Sequence, residues 1–100
     1  MTTREPLPTV QLQGHGEGCD EVADYATGKV QVALQHSPAR VLFARLHLDS
    51  AATPHTAVAR VHVDVNGTDV HARAEAPTLR EAVDLMQDRL RGQLARFGRH

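Results

Sequence analysis

The chain predicts an α+β fold of two layers, in the order β-α-β-β-β-α, with a four-stranded mixed sheet and both helices on one face. Three observations carry this. Residues 39–50 and 58–76 alternate apolar and polar side chains, the period of a half-buried strand. Asn66-Gly67 joins two such runs, and a type I′ hairpin turn needs positive φ at both central positions. From Leu79 to Phe97 the apolar residues Leu79, Val83, Met86, Leu90, Leu94 and Phe97 step by 4, 3, 4, 4 and 3, one stripe of a helix. Two amphipathic helices need a surface to bury their stripes, and an antiparallel sheet can offer one face while the other stays wet.

Element by element, residues 1–7 show little pattern and read as a flexible leader. Val10 and Leu12 alternate with polar neighbours, making 8–13 a short strand. The glycine-rich 14–18 resembles a phosphate cradle, but no Gly-Lys-Ser/Thr follows, so a flexible connector is the better reading. From Asp20, Val22, Tyr25, Ala26, Val30, Ala33 and Leu34 follow helical spacing until Ser37-Pro38, and the acids at its start suit the helix dipole. Val30 and Val32 lend its last turns some strand character. Gly28, inside it, costs about 1 kcal/mol relative to alanine. In 39–50, Leu42, Ala44, Leu46 and Leu48 form one face and Val41, Phe43, Arg45, His47 and Asp49 the other. Residues 51–56 are expected as a loop. Thr78 with Glu81 has capping-box spacing at the start of the last helix, and Gly98 stops it. Thus 8–97 is one domain and 98–100 a tail.

Composition narrows the functional classes. One hundred residues with 41% apolar content can bury a core without staples. At 3% aromatic, that core must be mostly Val, Leu and Ala. Cys19, the single cysteine, makes neither a disulfide framework nor a zinc site by itself. No apolar run spans a membrane and no signal-like segment opens the chain, so a cytoplasmic protein is expected. The net charge is −1, from 11 basic and 12 acidic residues, but the charges are polarised. Glu17, Asp20, Glu21 and Asp24 crowd one stretch, whereas Arg89, Arg91, Arg96 and Arg99 close the chain without an acid. Enzymatic motifs are missing: there is no nucleophile elbow and no HExxH pair. Ser37 and Ser50 are the only serines and both fall in predicted loops. Cys19, with acids beside it and a helix N-terminus pulling the other way, is inert by default rather than assigned.

The wet sheet face collects Arg45, His47, Arg60, His62, His71 and Arg73 on neighbouring strands. The plain explanation is that exposed strand positions are polar and that Asp49, Asp64, Asp69 and Glu75 pair with them, at about 0–1 kcal/mol each. A sharper one is an anion platform, with arginine as fixed charge and histidine in general gaining charge below about pH 6.5. Another is a metal held by His47, His62 and His71, but no spacing signature supports it. The sequence assigns no metal ligand and no cofactor.

HARAEAPTLREAVDLMQDRLRGQLARF, residues 71–97, resembles the end of the hibernation-promoting factor domain of bacterial ribosome-associated stress proteins. The matching residues are Ala82-Val83-Asp84, Arg89-Leu90 and Gln93-Leu94 after an alanine-alternating strand. Tyr25 and Lys29 fall where that family's first helix often carries an aromatic and a lysine. The resemblance implies a fold similar to a double-stranded-RNA-binding domain. It also implies a translation-inhibiting factor that binds the small ribosomal subunit and its RNA, without catalysis. The residues assigned to RNA are Lys29, Arg45, Arg60, Arg73, Arg89, Arg91 and Arg96. The alternative is a protein-interaction module on the same fold, docking a partner or a second copy at an edge strand.

Overall fold

A computed structural model of the chain describes residues 9–37 and 39–97. The expected leader and tail lie outside the described residues. The elements are β1 (Val10–His15), α1 (Cys19–Leu34), β2 (Val41–Thr53), β3 (Thr56–Val65), β4 (Thr68–Ala76) and α2 (Leu79–Phe97). The strands lie side by side in the order β1-β2-β3-β4, with β1 parallel to β2 and the remaining pairs antiparallel. The expected order and mixed sheet are therefore present.

Both helices cover the same face. α1 lies over β1 and β2, α2 over β3 and β4, and the two helices touch. The alternate strand positions Ala44, Leu46, Leu48, Ala59, Val61, Val63, Val65, Val70, Ala72 and Ala74 are buried beneath them. Val22, Ala26, Val30, Ala33 and Leu34 come down from α1, and Val83, Met86, Leu90 and Leu94 from α2. The alanines matter because small side chains let a helix lie close to a sheet and still reach crystal-like packing density. The buried Gln87 amide needs a partner, and its Nε2 donates to the Lys29 carbonyl at 2.9 Å, tying α2 to α1.

Local chemistry sets the boundaries, and several differ from expectation. The glycine-rich segment is not a flexible connector. Gly14 and His15 belong to β1, and a Cβ on Gly14 would stand 2.6 Å from the Cβ of Cys19, where α1 begins. Gly16 turns the chain at φ 101°, and the Ser50 hydroxyl donates to the Glu17 carbonyl at 2.6 Å to hold that turn against β2. The expected loop 51–56 is mostly strand. β2 runs on to Thr53, His55 takes φ 64° in a tight turn, and β3 starts at Thr56.

The largest correction concerns Leu42, expected in the core but 55% exposed. The β2–β3 register shifts between Val41 and Phe43, so Val41 pairs with Val65 and Phe43 with Asp64. Leu42 is the extra residue of a β-bulge, which returns Val41 to the helix side and turns Leu42 out. Alternation alone cannot reveal a bulge, because one inserted residue flips every position beyond it.

Asn66-Gly67 behaves as expected, with φ 52° and 90°. Asp64 Oδ1 accepts from the Gly67 N–H at 2.8 Å, and the Asn66 N–H donates to the Arg40 carbonyl at 2.8 Å, anchoring the hairpin tip to β2. The capping box also forms. The Glu81 N–H donates to Thr78 Oγ1 at 3.2 Å, and the Thr78 hydroxyl donates to Glu81 Oε1 at 3.0 Å.

Candidate functional site

With the helices on one side, the other face of the sheet is open, and its register fixes which side chains meet. Gln11, Arg45, His62 and His71 stand in one row across the strands. Gln13, His47, Arg60 and Arg73 stand in the next. Acidic rows flank them: Phe43, Asp64 and Asp69 toward the hairpin tip, and His15, Asp49, Val58 and Glu75 toward the opposite end. Stepping in twos from the closing pair Val65–Thr68, the pairs His62–His71 and Arg60–Arg73 occupy the non-hydrogen-bonded positions, where side chains approach most closely.

The two basic rows line a shallow concavity of about 470 Å³ formed by Gln13, Arg45, His47, Arg60, Val61, His62, His71, Ala72 and Arg73. Strand twist curves the sheet, and Val61 and Ala72 contribute to the lining of the concavity. Within it, the His62 and His71 rings stack with centroids 4.4 Å apart and planes 5° apart. Phe43 meets His62 edge-on at 5.9 Å, and the Arg45 guanidinium lies 5.6 Å from the Phe43 ring centre, a cation–π distance. Stacked imidazoles beside guanidinium groups form a surface suited to planar and anionic ligands alike.

The acids neutralise only part of this charge. Arg73 Nη2 meets Glu75 Oε1 at 2.7 Å, and His62 Nε2 lies 3.0 Å from Asp69 Oδ1. Asp64 serves the hairpin turn, and Asp49 Oδ1 accepts from the Ala51 N–H at 2.9 Å. Among the described residues, Arg45, Arg60, Arg91 and Arg96 make no salt bridge. Simple pairing across the face thus accounts for Arg73 and sets Asp69 beside His62, but leaves Arg45 and Arg60 without a salt bridge among the described residues.

The remaining residues assigned to RNA do not join the concavity. Arg89, on α2, reaches the free edge of the sheet, where Nη1 donates to the Arg73 carbonyl of β4. Arg96 follows seven residues later, on the same flank of the helix. Arg91 is exposed on another flank of α2. Lys29 sits in the helix layer, on the far side of the sheet, with its Nζ 3.3 Å from Asp84 Oδ1.

Around Lys29 lies a cluster that no local spacing in the sequence marks. The Tyr25 hydroxyl donates to Asp84 Oδ1, and the Arg80 guanidinium lies 4.3 Å from the Tyr25 ring centre. The hydrogen bond from Tyr25 holds the Asp84 carboxyl below its ordinary range, with Lys29 and Arg80 adding to the effect against desolvation. The same bond, with desolvation and the Asp84 charge, raises the Tyr25 phenol despite Lys29 and Arg80. Tyr25 and Asp84 lie far apart in the chain, so no local spacing marks the pair. Arg80 supplies the cation that covers Tyr25.

Compared with known proteins, residues 10–99 match the family model described as sigma 54 modulation protein / S30EA ribosomal protein. The chain belongs to that family. The S30EA family comprises ribosome-binding hibernation factors rather than enzymes, in agreement with what the last helix implied. Its fold matches the crystal structure of the Thermus thermophilus Protein Y N-terminal domain. That match has TM-score 0.72 and 26% identity, covering 90% of this chain and 97% of that one. A ribosomal subunit interface protein from Coxiella burnetii shares the fold at TM-score 0.72 and 19% identity, over 88% of this chain and 94% of that one. No curated protein sequence gives a match.

Proposed function

We propose that this S30EA family chain binds the small ribosomal subunit in the cytoplasm and holds idle ribosomes out of translation, using the open sheet face to contact ribosomal RNA. The observation that supports this is the convergence of Arg45, Arg60 and Arg73 with His47, His62 and His71 on one concavity. A chain of net charge −1 must concentrate its basic groups to attract a polyanion, and the two basic rows do so. Guanidinium groups match phosphate geometry with paired donors, while the stacked imidazoles and Phe43 offer a platform for an exposed base. Arg89 and Arg96 extend the basic surface around the β4 edge, with Arg91 on the outer helix surface. Lys29 contributes least, because Asp84 already holds its charge.

Sedimentation with purified small subunits at rising salt tests the proposal. Binding through several phosphates falls steeply with salt, and each phosphate-contacting arginine removed lowers the log–log slope by about 1. The combined variant Arg45→Glu, Arg60→Glu should leave the pellet, while the wild-type protein remains there at low salt. If the wild-type protein stays in the supernatant at low salt, or if both reversals leave sedimentation unchanged, RNA contact through this face is wrong. The protein-interaction reading would then gain ground, with exposed Leu42 and the β1 edge as the surfaces to probe.

A further inference from the structure

We propose that His62, Asp69 and His71 form a binding site for a divalent first-row transition-metal ion such as zinc, at the hairpin end of the open sheet face. One ligand atom from each of the three residues lies within 4.8 Å of the other two. Tetrahedral zinc, with bonds of about 2.0–2.2 Å, brings its ligand atoms to about 3.4 Å from one another, so the spacing is close. Turning the exposed His71 ring out of its stack on His62 lets the two in-plane lone pairs converge. His62 Nε2 and Asp69 Oδ1 are already 3.0 Å apart.

The state of His62 points to a missing partner. Its Nε2 is shut off from solvent yet makes no aligned hydrogen bond, and its contact with Asp69 is one of charge and proximity. Buried polar atoms are almost always satisfied, and a lone pair aimed into a carboxylate is poorly served unless a cation stands between them. A proton on the ring is one such cation and a metal ion is another.

Chemistry selects the metal. Two imidazoles and one carboxylate suit zinc, nickel, copper and cobalt, whereas calcium and magnesium want oxygen alone. The trio differs from His47, His62 and His71, the set considered from sequence. His47 stands one row away, opposite Arg60, and Asp69 reaches across diagonally to complete the site instead. Arg45 stands next to His62 in the same row, but Asp64 and Asp69 supply negative charge on the hairpin side, where the ion would sit. Asp69 and His71 are exposed, so the ion has a path in, and the outward position stays open for water or another ligand. The site shares His62 and His71 with the face proposed for RNA, but its test needs no ribosome.

The test uses the untagged full chain, titrated with zinc chloride by calorimetry near pH 7.5 and followed by imidazole ¹H–¹⁵N spectra. One zinc per chain is expected, with shifts confined to the His62 and His71 rings. His62→Ala and His71→Ala should each weaken binding by about tenfold or more, and Asp69→Asn should weaken it too. His71 is exposed, so its removal spares the fold, which circular dichroism verifies. His36→Ala and His55→Ala should leave the affinity unchanged. Heat with no fixed stoichiometry, shifts spread over other histidines, or zinc binding that survives the His62→Ala, His71→Ala double variant would each overturn the proposal.

Discussion

At the scale of single residues, Asp84 shows how tertiary contacts change a side chain's behaviour. Tyr25 donates to its carboxylate and Lys29 lies beside it, so its acidity is stronger than an ordinary aspartate's. A carboxyl with a depressed folded value contributes stability that is complete above about pH 4 and is lost as pH falls through that lower value. Tyr25 shifts the other way, so its share is lost as pH rises through its raised value above 10. Asp84→Asn should therefore flatten the acid side of the stability profile, measured by urea melts between pH 7 and pH 3. Because the Asp84 side chain is 47% exposed, the effect should be about 1 kcal/mol or less. Gly28 offers an opposite case. It lies within α1 and a Cβ there meets nothing within 4 Å, so Gly28→Ala should raise stability by about 0.5–1 kcal/mol in thermal or urea denaturation. The helix-interior glycine was visible in the sequence. The Tyr25–Asp84 bond was not, because it joins residues distant in the chain.

Elements depend on their ends and on the stripe they bury. Thr78 caps α2 through the Glu81 N–H, and Thr78→Ala should lower stability by about 1 kcal/mol. Leu90, fully buried in the middle of the same helix, matters more. Leu90→Ala leaves a cavity between α2 and the sheet and should cost about 2–5 kcal/mol, a large part of a small domain's total stability. Equilibrium urea unfolding separates the two variants, since the cap affects one terminus and the cavity the shared core. Both features were legible beforehand: a capping box is a local spacing, and a stripe repeating every three to four residues has few other uses. β2 was harder to read. Its alternation is unbroken from Val41 to Leu48, yet a bulge at Leu42 reverses the direction of the first two residues.

Across the whole molecule, the proposed function turns on where neutralised and unneutralised charges lie. The formal charge of −1 says little, since the acids of α1 and the arginines of the open face act in different places. Under the proposed function, raising salt should release the wild-type protein from small subunits steeply, while the Arg45→Glu, Arg60→Glu variant should stay in the supernatant at every salt concentration, as read by sedimentation. Reversing Arg89 and Arg96 instead should have a smaller effect, because Arg89 is already engaged at the β4 edge. That pair of variants tells a sheet-face contact from a helix-face contact.

Hydrophobic period, turn chemistry and helix caps are properties of neighbouring residues, so the sequence alone determined the six elements, their order, the buried stripes and the polar face of the sheet. Register and cross-strand partnership join residues far apart in the chain. Only the tertiary structure therefore decided that Leu42 turns outward, that Lys29 is held by Asp84, and that Asp69 rather than His47 stands beside the stacked histidines.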